Sequence, residues 1–324
     1  MNLSNVVMTA PALAPEAVAL LEASGATIHY LPPYPDADAV AALVGAVQAD
    51  AILCRQGRVT GAVMDASRRL RIVARHGVGV DEVDIEAARA RGLLVTRATG
   101  SNARAVAEHT LAMILGLAKE LAPMSALVAA GGWRTATMRV RDIAGLRLGL
   151  VGFGAIGQEV ARFAQAFGMR VAVHTRARPG SASGTLPAGV QSADSLAALA
   201  AGSDVLSLHC PLTPQTRHLI DESVLAAMPR GGFVVNTARG GLIDEMALLA
   251  ALESGRLAGA ALDGFEVEPP PETYALRSHP RLIVTPHVAG VTDRSLVAMG
   301  VMAAECIAAV LAGRRPPLDR IVCG

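Results

Sequence analysis

Short apolar runs alternate with stretches of helical periodicity along nearly the whole chain, and this alternation limits the fold more than any other feature. "NVVMTA", "ATIHYL", "AILCR", "RIVARHG" and "LLVTRA" read as strands. Between them, "PEAVALLEASG", "DADAVAALVGAV" and "DIEAARARG" carry apolar residues at helical spacing, with Gly25 and Gly92 as stops. After "TGSN", a long helical stretch over 103–121 opens a second series. Its strands are "LRLGLVG", "RVAVHT", "DVLSLHC", "GFVVNTA", "GAALDGF" and "LIVTPH". Strands and helices in this rhythm require parallel sheets covered on both faces. Two such series in 324 residues predict two domains of ordinary size. A last helical stretch near 295–311 has no strand series of its own, so it is expected to pack on the first unit. That unit is then discontinuous, 1–102 with 292–324, around an inserted domain of 103–291.

The last helix also imitates a membrane span, because "SLVAMGVMAAECIAAVLAG" (295–313) holds one acid, Glu305, in 19 residues. Ala and Gly dominate it and contribute little to insertion, and a central acid costs about 2.5–3.5 kcal/mol on insertion scales. A buried helix between domains is the expectation. Charged residues are 18%, aromatics 3% and the formal charge +1, with no basic stripe, so no nucleic acid or membrane partner is expected. Cys54, Cys210, Cys306 and Cys323 form no C-x-x-C pair and no metal spacing. Reduced thiols in a cytoplasmic protein, with no metal, are therefore expected. The N-terminus starts like a first strand rather than a signal peptide.

The turn "VGFGAIG" (151–157) lies between a strand pattern and the helical "QEVARFAQAFG". A lone G-x-G-x-x-G is a weak signal, and a strand-to-helix turn can need glycine for backbone reasons alone. Here both flanking elements are right, which favours a dinucleotide site. Gly152 would allow the tight turn, Gly154 would let the backbone approach a pyrophosphate, and Gly157 would let helix and strand pack closely. The first helical N–H groups, at Ala155, Ile156 and Gly157, would hold the phosphates.

Further segments line up in order: "HGVGVDEVDI", "HCPLTPQTRHLI", "NTARGGLIDE", "ALDGFEVEP" and "TPHVAG". With the glycine turn they resemble the D-isomer-specific 2-hydroxyacid dehydrogenase family over nearly the whole chain. The phosphoglycerate dehydrogenase and hydroxypyruvate or glyoxylate reductase branches are the most similar. The chain ends soon after its last helix, so no extra regulatory domain is expected. The resemblance implies an α/β fold of two doubly wound domains, with a Rossmann cofactor domain inserted in a discontinuous flavodoxin-like substrate domain. It implies a homodimer built through the cofactor domain and a cleft that closes on substrate.

The resemblance also implies a catalytic set of Arg239, Glu268 and His287. Alone, each has an ordinary reading: a surface arginine, a solvated turn acid, a loop-capping histidine. Reduction of a 2-keto acid gives these residue types a common purpose. His287 as imidazolium supplies a proton to the carbonyl oxygen, Glu268 favours that charged form, and Arg239 holds the keto oxygen and carboxylate with its fork of donors. Cys210, Pro211, Thr216, Thr237, Ala238, Asp263 and Gly290 stand at cofactor-contacting positions, with Asp263 expected near the nicotinamide. The N–H groups of Val78 and Gly79 would bind the substrate carboxylate, and Arg55 and Arg75 either a second anionic group or partners in surface salt bridges. The formate dehydrogenase branch pairs its histidine with Gln, so Glu268 disfavours it. Co-repressors that sense dinucleotides share the fold and the catalytic residues, so a binding protein is the rival reading. The absence of a long basic or disordered tail speaks against it.

The second strand after the glycine turn ends in "VAVHTRARPG". Thr175 stands where a ribose-binding acid is usual. It keeps a hydroxyl but not the charge that repels a 2′-phosphate, and Arg176 follows it with a guanidinium suited to phosphate. Arg178 and His174 lie beside them. NADP(H) is therefore expected over NAD(H), and the alternative is a solvated loop on an enzyme that uses NAD.

Overall fold

A computed structural model describes residues 4–175 and 186–324. The chain divides into two compact units, 1–102 with 291–324, and 103–290.

The first unit begins with five strands, β1 (Ser4–Met8), β2 (Ala26–Tyr30), β3 (Ala51–Cys54), β4 (Ile72–Arg75) and β5 (Leu94–Arg97). Helices α1 (Pro15–Ala23), α2 (Ala37–Ala46), α3 (Gly61–Asp65) and α4 (Ile85–Ala90) connect them. The parallel order is β5-β4-β3-β1-β2, the flavodoxin-like arrangement. Val, Ile and Leu on both faces of these strands explain their continuous apolar runs: Val7, Ile52 and Val73 face one core and Val6, Leu53 and Ile72 the other. Asp36, Thr60 and Asp84 cap α2, α3 and α4 through their side-chain oxygens.

The second unit opens with α5 (Ala103–Ala118) and α6 (Leu121–Ala129) where the periodicity predicts a single helix. Glu120 turns left-handed, with φ of 51°, and the two helices meet at 59°. Pro123 supplies the reason, since it has no N–H for an i→i−4 bond and its ring crowds the earlier carbonyl. The strands that follow are β6 (Arg147–Val151), β7 (Arg170–His174), β8 (Val190–Ser192), β9 (Val205–Leu208), β10 (Gly232–Asn236), β11 (Leu257–Leu262) and β12 (Leu282–Val284). Their helices are α7 (Ala155–Ala166), α8 (Leu196–Ala201), α9 (Glu222–Ala227) and α10 (Glu245–Glu253). All seven strands are parallel, in the order β12-β11-β10-β9-β6-β7-β8, which is the Rossmann order with a reversal between β6 and β9.

The chain returns to the first unit through α11 (Asp293–Leu311) and β13 (Ile321–Cys323). A reciprocal pair of hydrogen bonds between Thr292 and Ser295 starts α11. Its small residues are explained by close packing: a Cβ on Gly300 would lie 3.2 Å from Leu13 and 3.3 Å from Ala17. Glu305 pairs with Arg320 at 2.6 Å. The helix is long and apolar enough to cross a membrane by length and composition, yet Met299, Gly300, Ala303, Ala304, Cys306 and Ile307 are buried against its own unit. β13 runs antiparallel to β5 and closes that edge of the sheet. The sequence reading had no strand there.

Candidate active site

Three adjacent parallel strands of the second unit end in the three residues of interest. Arg239 follows β10, Glu268 follows β11 and His287 follows β12. Carboxyl ends of such strands are where a doubly wound sheet gathers its chemistry. His287 Nδ1 lies 2.8 Å from Glu268 Oε2, and the Phe265 N–H donates to Glu268 Oε1 at 3.0 Å. Both side chains reach the surface, with 44% of His287 and 38% of Glu268 exposed, so the pair can exchange protons with solvent or substrate. The hydrogen bond that His287 donates to Glu268 holds the imidazole above its ordinary range. Burial and the Arg239 charge pull the other way, and the Glu268 and Asp263 charges add to the rise. Burial alone would raise Glu268. The bond and charge of His287, the Phe265 N–H and the Arg239 charge outweigh it and hold the carboxyl below its usual value. Each member of the pair thus favours the charged form of the other.

His287 sits in the left-handed region, φ 53°, an uncommon place for a residue with a side chain. Asp263 holds it there. This carboxylate is 2% exposed. Its Oδ1 accepts from the Thr285 hydroxyl at 2.6 Å and the Val288 N–H at 2.8 Å, and its Oδ2 from the Ala289 N–H at 2.8 Å. The loop on both sides of His287 is therefore pinned to β11. His109 on α5 approaches Thr285 Oγ1 at 3.1 Å and Asp263 at 3.7 Å. The sequence reading expected Asp263 beside a nicotinamide and missed this anchoring, along with Thr285 and His109.

Two other positions escaped the reading. Asn236, the last residue of β10, accepts from the Ala238 N–H at 3.0 Å and donates to the Arg239 carbonyl at 2.8 Å, which shapes the turn presenting Arg239. Arg239 is half-buried and donates to the Ala238 carbonyl at 2.8 Å. Gly264 lies against the dyad: a Cβ there would sit 2.7 Å from Glu268 Oε1 and 3.7 Å from His287 Nδ1. Asn236 lies in "NTARG" and Gly264 in "ALDGFEVEP", but neither residue is chemically reactive, and only packing reveals its part.

The glycine turn has the three tasks its spacing suggests. Gly152 has φ of 96°, and a Cβ would meet the His209 carbonyl oxygen at 2.7 Å. A Cβ on Gly157 would meet the Gly152 oxygen at 2.6 Å, while one on Gly154 would meet nothing within 4 Å. Gly154 is the N-cap of α7 and has no side chain to cap it. The first turn of this 12-residue helix thus starts without a side-chain cap beside open space at Gly154, which fits a dinucleotide pyrophosphate near the N–H groups of Ala155, Ile156 and Gly157. Thr216 accepts from the Thr213 N–H at 2.7 Å and donates to the Pro211 carbonyl at 2.8 Å, so its hydroxyl shapes the 211–216 turn. The Thr237 hydroxyl bonds Thr110 on α5 at 2.8 Å. Cys210 and Gly290 are partly buried. His174 ends β7 with Nδ1 3.3 Å from the Ala193 carbonyl, and Thr175 follows. Arg176 and Arg178 lie outside the described residues.

In the first unit, Arg75 makes the salt bridge that was one of its two expected roles. Its side chain is 11% exposed and bridges to Glu82 at 2.8 Å. It also donates to the carbonyls of Gly79 at 2.9 Å, Cys54 at 2.9 Å and Arg55 at 2.6 Å. A guanidinium so committed folds the 76–82 loop and has no fork left for a second substrate anion. Arg55 is half-buried, and its charge, after burial, helps drive His76 down to about 4, which keeps that ring neutral. No backbone acceptor is seen for the N–H groups of Val78 and Gly79 among the described residues.

The family model for the D-isomer specific 2-hydroxyacid dehydrogenase, NAD binding domain, matches residues 111–289. The chain is 38% identical over 263 residues to a hydroxypyruvate reductase of Thermotoga maritima, which covers 80% of this chain and 84% of that protein. It is 38% identical over 266 residues to a D-3-phosphoglycerate dehydrogenase of Methanocaldococcus jannaschii. That match covers 82% of this chain and spans 50% of the relative's length. A crystal structure from Thermus thermophilus is 36% identical and aligns with a TM-score of 0.89 over 98% of this chain and 99% of that one. This chain belongs to the D-isomer specific 2-hydroxyacid dehydrogenase family.

The dyad geometry sets a pH test. Glu268→Gln removes the carboxylate that raises His287, so the imidazolium is lost at lower pH. Keto-acid reduction needs that proton, and its basic limb should move to lower pH in a kcat profile. Gly264→Ala should move the same limb while barely altering the melting temperature, because the atom it displaces is the end of a flexible side chain. A limb unchanged in both variants would show that the dyad does not govern the proton.

Proposed function

We propose that this chain is a nicotinamide-dependent oxidoreductase that interconverts a small 2-keto acid and its D-2-hydroxy acid. The observation that carries this reading is the 2.8 Å contact between His287 and Glu268 at the ends of strands that also present Arg239. The glycine turn and the bare N-terminus of α7 would hold the cofactor's pyrophosphate, and the 211–216 turn, Thr237 and Ala238 would border its nicotinamide end. When bound, the nicotinamide supplies or accepts the hydride at the carbon bearing oxygen.

The residues of this chain manage the oxygen and the charge. His287 donates a proton to the keto oxygen during reduction and recovers it from the hydroxyl in the reverse direction. Glu268 stabilises the imidazolium before the transfer and fixes the ring by its bond to Nδ1, leaving Nε2 for the substrate. The guanidinium of Arg239 holds the substrate carboxylate and polarises the carbonyl. Asp263, through Thr285, Val288 and Ala289, holds the histidine loop still. The relatives' names, D-3-phosphoglycerate dehydrogenase and hydroxypyruvate reductase, support a small acid as substrate.

His287→Ala should lower kcat about 10²–10⁴-fold and leave cofactor binding, read by fluorescence titration, nearly unaltered. The assay is a panel of glyoxylate, hydroxypyruvate, phosphohydroxypyruvate and pyruvate. Near-normal turnover of the variant removes the proposed acid, and an inactive wild-type chain across the panel favours a dinucleotide-sensing protein.

We also propose NADP(H) over NAD(H). The support is Thr175 at the end of β7, where an acid would repel the 2′-phosphate, and the adjacent Arg176 in the sequence. NADPH should give the higher kcat/KM, and Thr175→Asp with Arg176→Ala should invert the order. A clear preference of the unaltered enzyme for NADH refutes this assignment alone.

A homodimer through the cofactor unit completes the proposal. It is supported by α6, none of whose residues is buried, with Leu121, Val128, Trp133 and Val140 exposed in and after it. Light scattering should give twice the 33.2 kDa chain mass, and Val128→Asp with Trp133→Asp should halve it. A wild-type monomer contradicts the dimer.

A further inference from the structure

We propose that Arg217, His218 and Glu266 form a positioning clamp that holds Glu268 where it can orient His287, and so ties the 211–218 turn to the proton donor. The inference rests on the acid role proposed for His287.

Glu266 lies two residues before Glu268 in the loop after β11. Its carboxylate accepts from the Arg217 guanidinium and lies 3.2 and 3.3 Å from His218 Nε2. Its backbone N–H donates to Glu245 Oε1, at the start of α10, at 2.9 Å. His218 is itself fixed: its φ is 50°, and its N–H donates to the Gly241 carbonyl at 2.8 Å. Arg217 belongs to the Thr216 turn through its N–H bond to the Thr213 carbonyl at 3.0 Å.

Gly240 completes the arrangement. A Cβ there would fall 1.9 Å from the Phe265 carbonyl carbon and 2.3 Å from the Glu266 nitrogen. The turn carrying Arg239 is thus pressed against the Phe265–Glu266 backbone. That backbone supplies the Phe265 N–H that fixes Glu268 Oε1. A continuous chain of contacts runs from Arg217 and His218 through the Glu266 side chain to its backbone, then to Glu268 and to His287 Nδ1. Three segments, 211–218, 239–245 and 264–268, meet at one residue: Glu266 takes Arg217 and His218 on its carboxylate and Glu245 and Gly240 on its backbone.

As a source of stability this cluster is modest. Arg217 is 55% exposed, His218 40% and Glu266 25%, and exposed ion pairs are screened by water. Its effect should therefore be geometric. Small displacements at a catalytic group cost rate steeply, up to about 10²-fold for 1 Å. The charged groups facing the clamp from neighbouring elements are Glu245 and Asp244 at the start of α10. Those facing His287 are Glu268, Arg239 and Asp263.

The test follows the His287 imidazole by NMR titration, with its resonance assigned by loss in His287→Ala. Glu266→Gln keeps the shape and removes the charge. It should lower the His287 midpoint by ~0.5 pH unit or more and lower kcat for keto-acid reduction about tenfold. The melting temperature should fall by no more than about 4 °C. Glu266→Asp should recover part of both losses. Arg217→Ala, at a more exposed site, should move the midpoint in the same direction and decides the matter if Glu266→Gln does not fold. An unmoved midpoint in the variants that fold overturns the clamp. Because the titration needs no substrate, an inactive wild-type chain would count against the proposed activity alone.

Discussion

The buried carboxylate of Asp263 is the interaction on which the site depends. A carboxylate with 2% of its residue exposed must be fully bonded, and here its partners are the Thr285 hydroxyl and the N–H groups of Val288 and Ala289. Those bonds enforce the left-handed turn at His287. Without them the loop would relax to an ordinary conformation and the imidazole would leave Glu268. The strain of the turn, of the order of 1–3 kcal/mol, is offset by satisfying a charge that burial would otherwise penalise.

The electrostatics follow from that geometry. Glu268 raises His287, and His287 lowers Glu268, so each favours the charged form of the other. Arg239 opposes protonation of the histidine while favouring the carboxylate. Two glycines make the arrangement possible. Gly264 leaves room for the carboxylate, and Gly240 lets the arginine turn lie on the backbone that orients it.

In the first unit an arginine suited to an anion by charge is taken up by the fold itself. Arg75 has the charge and position of an anion ligand, yet the carbonyls of Cys54, Arg55 and Gly79 and the carboxylate of Glu82 surround it. Its guanidinium ties the 76–82 loop to the end of β3.

The sequence alone determined the two sheets, because apolar runs buried on both faces and separated by helical spacing have few other solutions. It also determined the glycine turn, since a φ of 96° at Gly152 and the backbone contact at Gly157 admit no side chain. The residues of the candidate site were legible too, in "NTARG", "FEVEP" and "TPHVAG". Tertiary structure decided what these residues touch. The break before α6 came from Pro123, visible in the sequence but outweighed there by the periodicity around it. β13 is a three-residue strand that exists only because β5 offers an open edge. The roles of Asp263, Asn236, Gly264 and Arg75 were hidden for one reason: each acts through groups 20 to 26 residues away in the chain or through backbone atoms that carry no sequence signature. Spacing along the chain carries the period of an element, but a hydrogen bond between loops is set by where the sheet delivers them.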